Sequence, residues 1–180
     1  VWVGVLFAGL VAVRQFASKA ADVRPRSAVA GLGGGCFWPL ERAFEGVAGV
    51  IDVVSGYSGG TGEDPTYEDY AQKGHTEVVR VEFDPQVVSY SELLDAFWKQ
   101  IGAGCQLTPA GNRYKTVVFS HSEDQKKQAE ASRQALERSG IYTEPVATEI
   151  REASRFYEAE EYHQDYHKIR GTSGPAELGR

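Results

Sequence analysis

Three consecutive glycines, Gly33-Gly34-Gly35, run directly into Cys36-Phe37-Trp38-Pro39, and this junction constrains the fold more than any other part of the chain. Without Cβ atoms the backbone there can turn sharply and take positive φ. Pro39 fits the first turn of a helix, where its missing N–H leaves no bond unmade, and Leu40, Ala43, Phe44 and Val47 then recur on one helical face. The apolar residues 28–32 before the glycines read as a strand, so the predicted unit is strand, tight turn, helix, with Cys36 at the helix start. Unpaired N–H groups and the positive dipole end favour a thiolate at such a place, so a lowered Cys36 pKa is expected. The same pattern also accommodates a buried structural cysteine in a tight turn. A phosphate loop is disfavoured, because neither a Gly-Lys-Ser/Thr ending nor GxGxxG spacing is present.

The remaining elements follow in order. Residues 50–55 read as a strand and residues 56–65, rich in Gly, Ser, Thr, Asp and Pro, as a loop. Residues 75–83 alternate, with Thr76, Val78, Arg80 and Glu82 on one face and Glu77, Val79, Val81 and Phe83 on the other. Glu77 therefore continues an apolar face, and burial there would raise its pKa so that it keeps a proton. Ser89 and Glu92 form a capping box ahead of a helix with the stripe Leu93, Leu94, Phe97, Trp98 and Ile101. A loop over 102–113 carries Cys105, residues 115–119 read as a strand, and Ser122 with Gln125 offers a second capping box for a helix ending at Gly140. Residues 145–151 read as a strand, and Ser154 is expected to cap a last helix through about Ile169, its aromatics Phe156, Tyr157, Tyr162 and Tyr166 packing on the core. Strands 50–55 and 75–83 have no helix between them, which predicts a mixed sheet with helices packed on it rather than a doubly wound parallel one.

At 180 residues the chain is one domain with a core of real size. Arg14, Lys19, Arg24 and Arg26 against Asp22 give residues 1–27 a net charge of +3, so of the overall −6 the remainder carries −9. An acidic body argues against nucleic-acid binding. Two cysteines make no disulfide framework, and no Cys/His cluster has zinc spacing. The chain begins at Val1 and contains no methionine, so a processed chain or a fragment is expected. Val1 to Val13 form an almost unbroken apolar run of thirteen residues, short of the ~20 that a membrane span requires. Residues 1–27 are therefore read as a targeting or anchor remnant, with an organelle-targeted, secreted or membrane-anchored protein expected rather than a purely cytosolic one. Residues 28–170 form the domain and 171–180 a tail.

GCFW followed by LERAFEGVAGV, then SGYSGG, PTY, GHTEVV and FW, resembles the type A peptide methionine sulfoxide reductases in that order, from about Gly33 to His167. The resemblance implies a ferredoxin-like α/β sandwich, a monomer, and reduction of methionine-S-sulfoxide, free or in proteins, with no metal or organic cofactor. It implies that Cys36 attacks the sulfoxide sulfur and becomes a sulfenic acid, which thioredoxin or a small thiol then reduces. Glu77 becomes the general acid, Tyr67 and Tyr114 hold the sulfoxide oxygen, and Phe37 and Trp38 receive the S-methyl group. His163 matches a family position on the last helix and is read as structural. Two departures stand out. Between Trp98 and Tyr114 there is no aspartate, where the family carries one near the substrate, and Pro109 occupies the matching offset. The tail has no cysteine, so Cys105 is the candidate resolving thiol for Cys36, provided the two Cα atoms come within roughly 7 Å. Other readings are a relative that binds methionine sulfoxide without turnover, a cysteine peroxidase, and acyl transfer by a Cys36–His75 pair.

Overall fold

The structure is a computed structural model that describes residues 27–102 and 115–171. Cys105 and Tyr114 lie outside the described residues, as do residues 1–26 and 172–180. The elements are β1 (Ala28–Gly34), α1 (Phe37–Glu45), β2 (Val50–Ser58), β3 (Thr76–Phe83), α2 (Tyr90–Ile101), β4 (Thr116–Ser120), α3 (Glu123–Arg138), β5 (Glu149–Glu152), β6 (Tyr157–Glu158) and α4 (Tyr166–Ile169), with a short 3-10 turn at Glu161–His163. One six-stranded sheet runs in the order β5-β4-β1-β3-β2-β6. All its pairs are antiparallel except β4 with β5. The inner β1α1β2β3α2β4 unit, with sheet order β4-β1-β3-β2, is the ferredoxin-like arrangement expected from the sequence.

The period-2 pattern of β3 divides the sheet as predicted. Val79, Val81 and Phe83 join Leu32, Phe44, Leu93, Leu94 and Phe97 in the main core against α1 and α2. Val78 on the opposite face packs with Val117 and Phe119 beneath Ala153 and Phe156. Burial of each such aliphatic or aromatic side chain stabilises the fold by about 1.5–3 kcal/mol. Two glycines at the end of β1 are required by geometry. A Cβ on Gly34 would sit 2.5 Å from Ile101 Cγ2, and Gly35 turns the chain with φ of 91°.

Helix boundaries follow the sequence where caps are strong. Ser89 accepts from the Glu92 amide and the Glu92 carboxylate accepts from Ser89 N–H, closing the capping box at α2. Ser122 caps α3 by accepting from Gln125 N–H. The Gln125 side chain, however, does not complete the box: its Oε1 accepts from His121 N–H and its Nε2 donates to Val29 O, tying α3 to β1.

The last segment corrects the sequence reading. Ser154 does not start a helix; its Oγ accepts from Gly59 N–H and meets Ser58 Oγ at 3.1 Å. Tyr157 and Glu158 instead pair with Tyr57 and Gly56 at the edge of β2. Beyond them Gln164 acts as a strand residue through its side chain, accepting from Ser55 N–H and donating to Ser55 O. An open sheet edge carries unpaired donors and acceptors, and satisfying them outweighs helix formation here. The expected strand at 145–151 is also shorter, starting at Glu149, while β2 continues through Gly56 to Ser58.

The expected destination is corrected as well. No helix among the described residues is long and apolar enough to cross a membrane. The longest, α3, has 16 residues and buries only Ala129, against the roughly 20 apolar residues a span needs. The apolar run on which the organelle-targeted, secreted or membrane-anchored reading rested lies outside the described residues.

Candidate active site

Cys36 occupies the N-cap of α1 with extended backbone, φ −64° and ψ 131°, and is half-buried. The helix start aims the next residue's amide into the sheet: Phe37 N–H donates to Glu77 Oε2 at 3.0 Å. Glu77 is buried, 4% exposed, on the helix-facing side of β3 opposite Tyr57 of β2. Its other oxygen, Oε1, accepts from the Tyr70 hydroxyl at 2.6 Å. Cys36, Glu77 and Tyr70 thus form one connected group at the open end of β1 and β3.

The electrostatics of Cys36 differ from the expectation. Burial raises its pKa, the Trp38 amide pulls the other way, and the neighbouring Glu77 carboxylate, by charge and by hydrogen bond, raises it further. The resting group is a thiol, because a desolvated site with an adjacent carboxylate outweighs the helix N-terminus.

An aromatic wall stands beside the thiol. Phe37 is fully buried, its ring 5.1 Å from His163 and 6.0 Å from Tyr57. The Trp38 indole stacks on Tyr166 at 3.7 Å and 6°, and its Nε1–H donates to His163 Nδ1 at 3.2 Å. That bond fixes the neutral tautomer of His163 with its proton on Nε2, consistent with burial lowering its pKa against the opposing pull of Glu160. His163 Nε2 is buried without a hydrogen-bond partner among the described residues. The Tyr67 ring lies 4.6 Å from His163 and 6.1 Å from Tyr70.

Glu160 ties this wall to the sheet. One oxygen accepts from Tyr67 N–H at 2.9 Å and the other from Tyr57 OH at 2.8 Å. Burial pushes the Glu160 carboxyl up, but the Tyr67 amide, its own amide and the Tyr57 hydroxyl together hold it below its ordinary value. Tyr57, buried against that carboxylate, is held far above the usual phenol range. His75 is not near Cys36 in a catalytic pair: its Nδ1 accepts from Gly60 N–H and its Nε2 lies 2.6 Å from Gly62 O, which pins the loop between β2 and β3.

Of the residues expected from the sequence, Cys36, Phe37, Trp38, Tyr67 and Glu77 come together here, whereas Tyr114 and Cys105 fall outside the described residues. Tyr57, Tyr70, Glu160 and Tyr166 were not anticipated. Only the spacing of Tyr67 and Tyr70, one helical turn apart, hinted at a shared direction. Among the described residues no cluster of His, Cys, Asp or Glu could hold a metal ion.

Comparison with known proteins places this geometry. A family model described as peptide methionine sulfoxide reductase matches residues 28–175. The peptide methionine sulfoxide reductase MsrA of Bacillus licheniformis is 47% identical over 145 residues, covering 78% of this chain and 80% of that protein. That of Methanosarcina acetivorans is 48% identical over 142 residues, 76% of each. The fold superposes on reduced Mxr1 from Saccharomyces cerevisiae with a TM-score of 0.73 at 22% identity, covering 86% of this chain and 92% of that one. It also superposes on methionine sulfoxide reductase A of Corynebacterium diphtheriae with a TM-score of 0.68 at 24% identity, over 84% and 79%. A further match is Mxr1 in complex with Trx2, with a TM-score of 0.54 at 23% identity over 82% and 91%. With its glycine turn, thiol and aromatic wall, and with nearly half of the aligned residues identical to a relative's over most of both chains, the chain belongs to the peptide methionine sulfoxide reductase family, type A.

Proposed function

We propose that this chain reduces methionine-S-sulfoxide, in proteins or free, with Cys36 as nucleophile and Glu77 as proton donor. The observation that carries the assignment is the half-buried thiol at the start of α1 beside a carboxyl group held at both oxygens by Phe37 N–H and Tyr70 OH. Phe37 and Trp38 receive the S-methyl group, since a methyl on a polarised sulfur packs well against π faces. Tyr67 donates to the sulfoxide oxygen, and Tyr114 takes the same role by its match to the family.

In the first step Cys36 sulfur bonds to the sulfoxide sulfur and Glu77 protonates the oxygen. The oxygen passes to the Cys36 sulfur as its bond to the substrate sulfur and the transient sulfur–sulfur bond both break, so methionine leaves as thioether and Cys36 becomes a sulfenic acid. The substrate sulfur gains two electrons and the cysteine sulfur loses two. A second thiol then condenses with the sulfenic acid, releasing water and giving a disulfide, and a further thiol regenerates Cys36. Because Cys36 rests as a thiol hydrogen-bonded to the Glu77 carboxylate, its proton passes to Glu77 as the sulfur attacks, and Glu77 delivers it where the oxygen leaves.

The reductant we assign is thioredoxin or a small thiol; yeast Mxr1, which shares the fold, has a structure with Trx2. Cys105 is the proposed resolving thiol. The test is NADPH oxidation coupled through thioredoxin and its reductase, on the full chain, with methionine-S-sulfoxide as substrate. Turnover abolished in Cys36→Ser and slowed in Cys105→Ser with thioredoxin, but not with dithiothreitol, is expected. Absence of turnover with either reductant overturns the assignment and leaves a sulfoxide-binding relative; peroxide consumption independent of sulfoxide would point to a peroxidase.

A further inference from the structure

Tyr70 is fully buried, and its hydroxyl takes no part in the bond changes assigned above. It sits on the helical turn before β3, where Tyr70 N–H donates to Thr66 O at 2.8 Å and Tyr70 O accepts from His75 N–H at 2.9 Å. Its backbone is therefore fixed at both ends. Its ring stacks on Tyr57 at 4.8 Å and 14°, so its side chain is fixed as well. From that rigid position its hydroxyl meets Glu77 Oε1 at 2.6 Å, while the Phe37 amide holds Oε2 at 3.0 Å. Two donors on different elements, one on each oxygen, leave the carboxyl plane no freedom to rotate.

Resting on the assignment of Glu77 as proton donor, we propose that Tyr70 is a positioning residue: its hydroxyl holds Glu77 Oε1, orients the carboxyl toward Cys36, and sets the balance between the charged and neutral forms of that acid. A hydrogen bond donated to a carboxylate favours the charged form. Glu77 is faced by the Cys36 thiol at the start of α1, the Tyr57 ring of β2 and the Tyr70 hydroxyl; Glu160 is the next charge outward, held by Tyr57. Among these, Tyr70 supplies the hydroxyl donor to Oε1, and the Cys36 thiol also hydrogen-bonds to the carboxyl.

Tyr70→Phe keeps the ring and its stack and deletes only the donor. Glu77 then stays protonated to higher pH, so the alkaline limb of kcat/KM moves up by about one pH unit, while kcat/KM at the optimum falls about tenfold through looser placement. With less charge on Glu77, Cys36 ionises more easily, and its iodoacetamide alkylation midpoint, measured without substrate, moves to lower pH. A merely structural role lowers activity without moving these two midpoints in opposite directions. Tyr70→3-fluorotyrosine, an isosteric and stronger donor, moves both the other way and covers the case in which Tyr70→Phe fails to fold. Tyr57→Phe, which leaves the Tyr70–Glu77 bond in place, should leave the alkylation midpoint at its parental value. Coincident midpoints in parent, Tyr70→Phe and the fluorotyrosine protein overturn the proposal, as does an equal shift in Tyr57→Phe. Because alkylation needs no turnover, a parent inactive on sulfoxide defeats the functional assignment while the Tyr70 test still gives its answer.

Discussion

Glu77→Gln separates the charge of the carboxyl from its shape. Glu77 accepts from Phe37 N–H at 3.0 Å and from Tyr70 OH at 2.6 Å, whereas glutamine offers one carbonyl oxygen, so one of these donors must face an NH2 group. A hydrogen bond to a charged group contributes about 1.5–3 kcal/mol and a neutral one about 0.5–1.5. The exchange therefore costs about 1–3 kcal/mol of stability, which for a domain of this size lowers Tm by roughly 2–10 °C. Loss of a positioned acid lowers turnover by about 10²–10⁴-fold. The Cys36 thiol responds in the opposite sense: burial still holds it up, but the carboxylate charge and hydrogen bond that raise it further are gone, so its alkylation midpoint falls. The variant is expected to carry a more ionised nucleophile and yet be slower. Thermal denaturation, the coupled turnover assay and alkylation as a function of pH read the three effects separately. Parental turnover, or an alkylation midpoint equal to or above the parent's, would refute the coupling between Glu77 and Cys36.

Trp38→Phe removes the indole donor to His163 and much of the stack on Tyr166; together these are worth about 1–3 kcal/mol, and steady-state kinetics should show KM rising more than kcat falls. Glu41, 2% exposed on α1, accepts from Ser55 Oγ and Tyr166 N–H, and burial raises its pKa against those donors. A carboxyl raised in the folded state adds stability that is full below its unfolded pKa and is lost as pH rises through the folded value, so Glu41→Gln should flatten this part of the stability profile in urea melts from mildly acidic pH upward. Leu94→Ala opens a void in the core between α2 and the sheet, where Leu94 is fully buried, and should cost about 2–5 kcal/mol by denaturant melts.

What could be read in the sequence was whatever depends on neighbours a few residues apart. The glycine turn into Pro39, the alternation that turns Glu77 inward and the Ser89–Glu92 box are local patterns, and each leads to the observed structure. The helix expected after Ser154 failed because its fate is decided by the edge of β2, a partner 109 residues away for the Gln164–Ser55 pair. The state of the thiol was hidden for the same reason: the helix start is visible beside Cys36, but the burial that outweighs it, and the Glu77 carboxylate that adds to it, come from elements distant in sequence. Glu160 carried no signal, and Tyr70 only its spacing from Tyr67, because their importance lies in hydrogen bonds to residues on other elements, Glu77 for Tyr70 and Tyr57 and Tyr67 for Glu160.

The bond between Trp38 and His163 spans 125 residues, and with it the order of synthesis enters the chemistry. Domains fold as units, so β1, α1 and the thiol, though made early, reach this arrangement only with His163, Tyr166 and the Glu160 tie to Tyr57, which come late among the described residues. A prematurely ended chain therefore carries Cys36 without the aromatic groups that pack beside it.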